Sequence, residues 1–114
     1  MFSSKELALD IVKWAEDKKA IDPVVIDIGL SSTIADYFVI FHANNPIQAV
    51  ALAEHISDEA EKAYSLHVPH KEGINEGSWV LLDMGSVVVH IFDEETRSFY
   101  DLERLWDESP RLSL

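Results

Sequence analysis

Two apolar segments, residues 79–83 and 87–92, stand on either side of Met84 and Gly85 and constrain the fold more than any other part of the sequence. Valine, isoleucine, phenylalanine and tryptophan suit a pleated strand, and glycine tolerates the positive φ angle that tight turns require. The pattern therefore predicts an antiparallel hairpin that turns at Met84 and Gly85. A short helix is expected to follow at residues 101–106 and to fold back onto the hairpin.

Large aromatic side chains are concentrated in and just after this hairpin. Five of them lie within 28 residues: Trp79, Phe92, Phe99, Tyr100 and Trp106. Because this is more aromatic area than one face of a small sheet needs, we expect part of it to stay at the surface for a partner. The alternative is that all five pack in the core.

The length and composition limit the class of protein. A chain of 114 residues with 47% hydrophobic content is long enough for one domain with a core and too short for two. We expect one domain at residues 1–106, with a C-terminal tail at 107–114. No segment approaches the roughly 18 apolar residues of a membrane span, and the N-terminus lacks the pattern of a signal peptide, so a cytoplasmic protein is expected. The absence of cysteine excludes disulfides and cysteine zinc sites.

The charge is strongly negative. Nine lysines and arginines against 21 aspartates and glutamates give a formal net charge of −12. Phosphate backbones repel such a chain, so direct binding to nucleic acid is not expected. A basic protein partner is favoured instead, since charge complementarity speeds encounter and adds specificity. The alternative is that the charge only maintains solubility.

The N-terminal segment carries the signals of an amphipathic helix. Ser3 and Glu6 form a capping box, and Phe2 and Leu7 are spaced as a hydrophobic staple. These signals predict a helix at about residues 4–19. Its last turn is expected to contain Lys18 and Lys19.

The middle of the chain alternates between strand and helix patterns. Buried strands are predicted at 24–28 and 36–42, and a short strand is considered at 66–68. Between the last two, Asn45 followed by proline predicts the start of a helix that spans about 46–64. A strand, a long helix and another strand imply a parallel crossover, whereas the hairpin is antiparallel. The predicted fold class is therefore α/β, with a mixed sheet of about five strands flanked by helices.

Histidines offer little catalytic or metal-binding chemistry when judged by spacing. His67 and His70 lack a third ligand at a recognised spacing, so no metal site is predicted. His90 alternates to the strand face opposite Val89 and Ile91, which favours a packed, hydrogen-bonded histidine over a general base.

One enzymatic alternative remains open, in which the chain handles nucleotides with Mg²⁺. Gly85 and Ser86 followed by Asp93 and Glu95, together with Asp83, loosely resemble a Gly-Ser turn with carboxylates that hold the ion. Against this alternative, the second carboxylate enters a polar turn rather than alternating along an apolar strand. No glycine-rich phosphate loop occurs in the sequence.

Short blocks spread over most of the chain carry a resemblance to one family. They are Asp17-Lys-Lys-Ala20, Val25-Ile-Asp-Ile28, Ala35-Asp-Tyr-Phe-Val-Ile40, Glu72-Gly73, Trp79-Val-Leu-Leu-Asp83 with Gly85, Val88-Val-His-Ile-Phe92, Arg97-Ser-Phe-Tyr100 and Leu102-Glu-Arg-Leu-Trp106. Each block is short, but their order and spacing together are specific. In these blocks the chain closely resembles the ribosomal silencing factor family, also called Iojap-related or RsfS.

The resemblance implies a small α/β domain with a mixed sheet, related in topology to nucleotidyltransferases but without known catalysis. It implies binding to the large ribosomal subunit through ribosomal protein uL-fourteen, which blocks joining of the small subunit and lowers translation when nutrients are scarce. No catalytic residue, metal or cofactor is expected, and exposed strand edges make a homodimer reasonable. The partner-binding residues that the resemblance implies are Glu72, Gly73, Trp79, Asp83, Met84, Gly85, His90, Arg97, Tyr100 and Glu103.

The resemblance has two departures. Residues 44–48 replace a stretch that contains serine and arginine in the family, and Met84 stands where an aromatic residue or leucine is common. Any contact made by that arginine is lost, whereas the flexible thioether of methionine still offers adaptable apolar surface.

Trp79 or Tyr100 is expected to act as an anchor whose truncation costs about 2 kcal/mol or more of binding free energy.

Overall fold

Four helices and five strands follow one another in the computed structural model, which describes residues 3–68 and 70–114. In chain order they are α1 (Ser4–Asp17), β1 (Ile21–Asp27), β2 (Tyr37–Ala43), α2 (Pro46–Tyr64), β3 (His70–Glu72), β4 (Trp79–Asp83), β5 (Val87–Asp93), α3 (Glu94–Tyr100) and α4 (Leu102–Leu105). Within these described ranges, no helix combines the length and apolarity that a membrane crossing requires.

The five strands form one mixed sheet in the order β1-β2-β5-β4-β3. β2 and β5 are parallel, and the other three neighbouring pairs are antiparallel. β3 therefore points the same way as β2, and the chain passes from β2 through α2 to β3 at the far edge. The predicted α/β class and mixed sheet are confirmed, although the parallel neighbour of β2 is β5 rather than the next strand along the chain.

The hairpin of β4 and β5 forms where the sequence predicts it. Leu81 lies opposite His90, and the turn is closed by a hydrogen bond from the Met84 N–H to the Val87 carbonyl (3.0 Å). Gly85 has a φ angle of 83°, in the left-handed region that favours glycine.

One face of the sheet, here called the closed face, lies under α1 and α2. Alternate strand residues such as Val80, Leu82, Val89 and Ile91 meet the apolar stripes of both helices in a fully buried aliphatic core. Leu52 of α2 is fully buried there. Most of the hydrophobic stabilisation of the fold therefore lies on this face.

The other face, here called the open face, is crossed by the short helices α3 and α4. Its buried side chains are Ile26, Ile28, Ala35, Phe38, Ile40, Val88 and Phe92, with His90 also buried among them. Trp79, Leu81, Leu102 and Trp106 pack against this cluster but are only partly buried. The open face therefore retains accessible aromatic surface.

α2 has the bounds that the sequence predicts, and its N-terminus is doubly capped. The Asn45 side chain accepts a hydrogen bond from the Gln48 N–H (2.8 Å), and the Gln48 side chain accepts one from the Asn44 N–H (2.7 Å). The Gln48 amide also donates to the carbonyls of Lys18 and Lys19. The stretch 44–48, which departs from the family pattern, thus joins the start of α2 to the end of α1.

The first helix is shorter than predicted. α1 ends at Asp17, Lys18 is its C-cap, and Lys19 has a φ angle of 65°, so neither lysine lies in the last turn as expected. The Ser3 side chain does cap the helix, since it accepts a hydrogen bond from the Glu6 N–H (3.0 Å). The predicted staple between Phe2 and Leu7 lies outside the described residues.

Two predictions for the later elements are wrong. The third strand lies at His70–Glu72 rather than at 66–68, because it pairs with β4. The expected polar turn after β5 is instead the start of α3, because the Asp93 side chain accepts a hydrogen bond from the Thr96 N–H (2.7 Å). The helix predicted at 101–106 is found as α4.

The C-terminal segment lies along the outer edge of β1. The Asp27 N–H donates to the Pro110 carbonyl (2.8 Å), and the Leu112 N–H donates to the Val25 carbonyl (3.0 Å). Arg111 lies opposite Ile26 as an antiparallel bridge. The residues expected to form a tail, 107–114, therefore include a segment that covers the backbone edge of β1.

Candidate functional site

Trp79 is the centre of the accessible aromatic surface on the open face. It is the first residue of β4, and its ring lies 5.0 Å from the ring of Phe92 and 4.6 Å from the ring of Tyr100, measured between centroids. Its indole Nε1–H donates a hydrogen bond to His90 Nδ1 (3.1 Å). The indole is therefore held by contacts with β5 and α3 while part of it stays exposed.

His90 lies beneath Trp79 and is 4% exposed. Burial lowers its pKa from 6.5 to about 4, so the ring is neutral at pH 7. Because Nδ1 accepts a hydrogen bond, the ring proton is on Nε2, which is buried and has no partner among the described residues. An unpaired buried donor costs about 1–3 kcal/mol of stability. The prediction of a packed, hydrogen-bonded histidine on the face opposite Val89 is confirmed.

Phe99 and Tyr100 project from the end of α3 into solvent. They are 79% and 50% exposed, and their rings meet edge to face with centroids 5.1 Å apart. Leu105 of α4 is also exposed. Trp79, Phe99, Tyr100 and Leu105 are here called the aromatic patch. The alternative that all five aromatic residues near the hairpin pack in the core is wrong, because Phe99 and Tyr100 are exposed.

A groove of about 480 Å³ opens between the aromatic patch and the loop before β4, and it is here called the α3 groove. Its lining residues are Glu76, Ser78, Trp79, Glu95, Thr96, Phe99 and Tyr100. The carboxylates of Glu76 and Glu95 are exposed beside the aromatic rings. Carboxylates and aromatic faces both attract a cationic side chain. The groove thus has the chemistry to bind lysine or arginine.

Arg97 is predicted to contact a partner, but its side chain is buried inside the domain. Its guanidinium donates to the carbonyls of Ile21 (3.2 Å) and Asp22 (2.7 Å) and to His42 Nδ1 (2.9 Å). It also lies 3.4 Å from the Glu103 carboxylate. Arg97 therefore joins α3 to β1, β2 and α4, and it positions the helix that carries Phe99 and Tyr100.

The segment 72–73 lies at the Trp79 end of β4. Glu72 pairs with Leu81, so strand alternation directs its side chain to the open face. Gly73 has a φ angle of 78°, and a Cβ there would lie 1.9 Å from the Trp79 carbonyl oxygen. Gly73 thus allows the close approach that shapes the loop lining the α3 groove.

Three other predicted contact residues lie at the opposite end of the hairpin. Asp83 accepts a hydrogen bond from the Gly85 N–H (2.9 Å) and shapes the turn. Met84 is buried in the closed-face core, which does not agree with an adaptable surface contact. The structure therefore brings Glu72, Gly73, Trp79, His90, Arg97, Tyr100 and Glu103 toward one region and leaves Asp83, Met84 and Gly85 apart from it.

The carboxylates of the nucleotide-handling alternative do not converge. Asp83 pairs with Val88, five residues before Asp93 on the same strand, which places the two aspartates about 17 Å apart along the strand direction. Asp93 is also engaged as the N-cap of α3. Among residues 3–68 and 70–114, no group of three or more histidine, cysteine or acidic side chains is placed to hold a metal ion. The side chain of His70, part of the histidine pair weighed above, lies outside the described residues.

Sequence reasoning did not assign Phe99, Leu105, Glu76 and Glu95 to the site. The available signal was the start of α3, where Asp93 is followed by Glu94 and Glu95 as in the first turn of a helix. A helix that begins there places Phe99 and Tyr100 one turn past Glu95. The loop residue Glu76 had no such signal.

A mixed sheet with one face closed by two long helices, and the other left partly open around aromatic and acidic side chains, defines a small α/β domain with an accessible aromatic and acidic surface. Residues 2–114 match the family described as "Ribosomal silencing factor during starvation", and the chain belongs to that family. The resemblance deduced from the short sequence blocks is thereby confirmed.

Individual relatives agree with this assignment. "Ribosomal silencing factor RsfS" of Bacillus subtilis is 42% identical over 99 residues, which covers 87% of this chain and 83% of that protein. The protein of the same name from Halalkalibacterium halodurans is 37% identical and covers 98% and 95%. The crystal structure of a Chromobacterium violaceum protein superposes with a TM-score of 0.89 at 27% identity, covering 93% of this chain and 88% of that one.

Proposed function

We propose that this protein binds the large ribosomal subunit through ribosomal protein uL-fourteen, using the aromatic patch and the α3 groove, and prevents the small subunit from joining. Translation then falls when nutrients are scarce. The protein acts in the cytoplasm as a binding protein and not as an enzyme, since this mechanism makes and breaks no bond. The observation that carries the proposal is the exposed pair Phe99 and Tyr100 beside a half-buried Trp79.

The aromatic patch has the features of a binding hot spot. Tyrosine and tryptophan combine a large contact area with few rotatable bonds, and they are enriched where interface energy is concentrated. Tyr100 is half exposed, and the Trp79 ring beneath it is held by a hydrogen bond. Little side-chain freedom of Trp79 is therefore lost on binding.

The charge of the chain fits a ribosomal protein as the partner. The net charge is −12, and Glu76 and Glu95 line the groove beside the patch. Ribosomal proteins are basic, so their lysine and arginine side chains complement this groove. Free RNA is repelled by the same charge, which directs binding to the protein component of the subunit.

The size of the domain suits occlusion. A standard interface buries about 800 Å² per partner, which is a small part of the 6513 Å² of accessible surface. The remaining body measures 33 × 33 × 24 Å along its principal axes. Once docked through the open face, the domain presents α1 and α2 outward and fills the space that the small subunit needs.

Co-sedimentation with purified large subunits tests the proposal. The wild-type chain is expected to migrate with the particles, and Tyr100→Ala is expected to lower the affinity about thirtyfold, the equivalent of about 2 kcal/mol. The control is Leu30→Ala, which removes an even more exposed apolar side chain at the opposite end of the sheet. A wild-type chain that stays in the supernatant would show that the ribosome is not the partner.

Subunit-joining measurements complete the test. Adding the wild-type chain to large subunits before small subunits is expected to reduce the amount of joined ribosome, and Tyr100→Ala is expected to restore it.

Calorimetry with nucleoside triphosphates and Mg²⁺ examines the enzymatic alternative. Tight, metal-dependent binding there would favour a nucleotide-handling enzyme and contradict a purely binding role.

A further inference from the structure

His90 is a polar side chain packed among aromatic rings on the open face. Its ring lies 4.6 Å from the ring of Phe38 and 6.1 Å from that of Phe92, and its Nε2 is buried with no partner in the part of the chain that the structure describes. A phenylalanine at this position would remove the unpaired Nε2–H, but it would also leave the Trp79 indole N–H without its acceptor. The benefit of a histidine must therefore come from Nδ1.

The only hydrogen bond that the described residues give to Nδ1 is the one from Trp79. Trp79 has two side-chain torsions, and its indole N–H is a donor with one direction. The acceptor at His90 fixes that direction, and the ring orientation follows. In this orientation the indole face lies against Tyr100, with ring centroids 4.6 Å apart.

We infer that His90 is a positioning residue for the proposed binding site: it fixes the Trp79 indole beneath Tyr100 through Nδ1 and, being buried, does not itself contact the partner. This inference rests on the proposed function and deepens it. The resemblance to the family implied that His90 is a partner contact, and the geometry assigns it a supporting place instead.

Burial also keeps the acceptor available. The pKa of His90 is lowered to about 4, so the Nδ1 lone pair is free to accept at any pH near neutrality. The three aromatic rings packed against His90, those of Phe38, Trp79 and Phe92, carry no charge.

Two substitutions separate the ring from its acceptor. His90→Phe keeps a ring of similar shape and removes Nδ1. His90→Asn removes the ring and keeps an acceptor, because Asn Oδ1 occupies nearly the position of His Nδ1. If His90 only fills space, the first variant behaves like wild type. If it positions Trp79, the second variant keeps the function better.

The direct readout is the indole N–H signal of Trp79 in a proton–nitrogen NMR spectrum, assigned with Trp79→Phe. Its exchange with solvent is expected to be at least about tenfold faster in His90→Phe than in wild type, and close to wild type in His90→Asn. Affinity for the large ribosomal subunit is expected to fall about tenfold in His90→Phe. The urea midpoint of His90→Phe is expected to stay close to that of wild type, because removal of the unpaired Nε2–H offsets the loss of the Trp79–His90 hydrogen bond.

An unchanged indole signal and unchanged affinity in His90→Phe would overturn the inference. Loss of affinity that only parallels loss of stability in both variants would also overturn it. If the wild-type chain does not bind the subunit, the proposed function fails, and the indole exchange rates still decide whether His90 fixes Trp79.

Discussion

The two faces of the sheet differ in the side chains they pack and in the length of the helices that cover them. The closed face packs aliphatic side chains under α1 and α2, which have 14 and 19 residues. The open face packs Phe38, Phe92 and His90 together with isoleucine and valine side chains under α3 and α4, which have seven and four residues. Long helices cover their face completely, whereas the short ones leave Trp79 and Tyr100 accessible. The buried core that stabilises the fold and the surface proposed for binding therefore lie on opposite faces of one sheet.

The largest expected effect is on the closed face. Leu52→Ala removes a fully buried side chain between α2 and the sheet, and it is expected to lower the free energy of unfolding by about 2–5 kcal/mol. Leu105→Ala, at the exposed edge of the open face, is the matched control and is expected to change it by less than about 0.5 kcal/mol. Urea denaturation measures both, and equal effects would contradict the separation of the two faces.

A second effect comes from pH and is specific to the open face. His90 titrates at 6.5 when unfolded and at about 4 when folded, so between these values the unfolded chain binds more protons. The contribution of His90 to the free energy of unfolding is therefore fully present above pH 6.5. It is lost as the pH falls toward 4, and the loss is about 3 kcal/mol at most. The difference in unfolding free energy between wild type and His90→Phe isolates this loss from the titration of carboxylates. A difference that is flat with pH would contradict it.

A third effect concerns the charge beside the aromatic patch. Glu95→Lys is expected to weaken binding to the large ribosomal subunit about tenfold at low salt, because it places a cation where a basic partner docks. The loss is expected to shrink as ionic strength rises. Glu61→Lys, on the exposed side of α2, is the control with the same charge change. Equal losses for both variants would indicate that only net charge matters.

The smallest expected effect comes from a substitution that destabilises α2, on the closed-face side, and it tests whether affinity for the large ribosomal subunit is unchanged. Asn45→Ala removes the N-cap of α2 and is expected to lower the free energy of unfolding by about 1 kcal/mol. Binding to the subunit, measured well below the unfolding midpoint, is expected to be unchanged. A loss of affinity there would show that α2 influences the aromatic patch.

Local signals in the sequence predicted the parts of the fold that depend on local chemistry. The cap at Asn45 set the start of α2, and the glycine at 85 set the hairpin turn. Strand alternation also placed His90 on the correct face, because the period of two depends only on the backbone. These elements needed no knowledge of distant residues.

Long-range pairing limited the other predictions. The strand at His70–Glu72 exists because it pairs with β4, and three residues carry too weak a pattern to show this in advance. The family resemblance implied that Arg97 contacts a partner, yet its guanidinium donates to the carbonyls of Ile21 and Asp22, more than 70 positions away. The exposure of Phe99 likewise depends on where α3 crosses the sheet.

The segment 110–112 along β1 has a consequence for how copies of this protein meet. A sheet with two free margins can grow in both directions and build a fibre. Here residues 110–112 cover part of the outer edge of β1, and the opposite edge of the sheet is the three-residue β3. The more accessible edge of the sheet is therefore the short β3, which disfavours growth into a fibre.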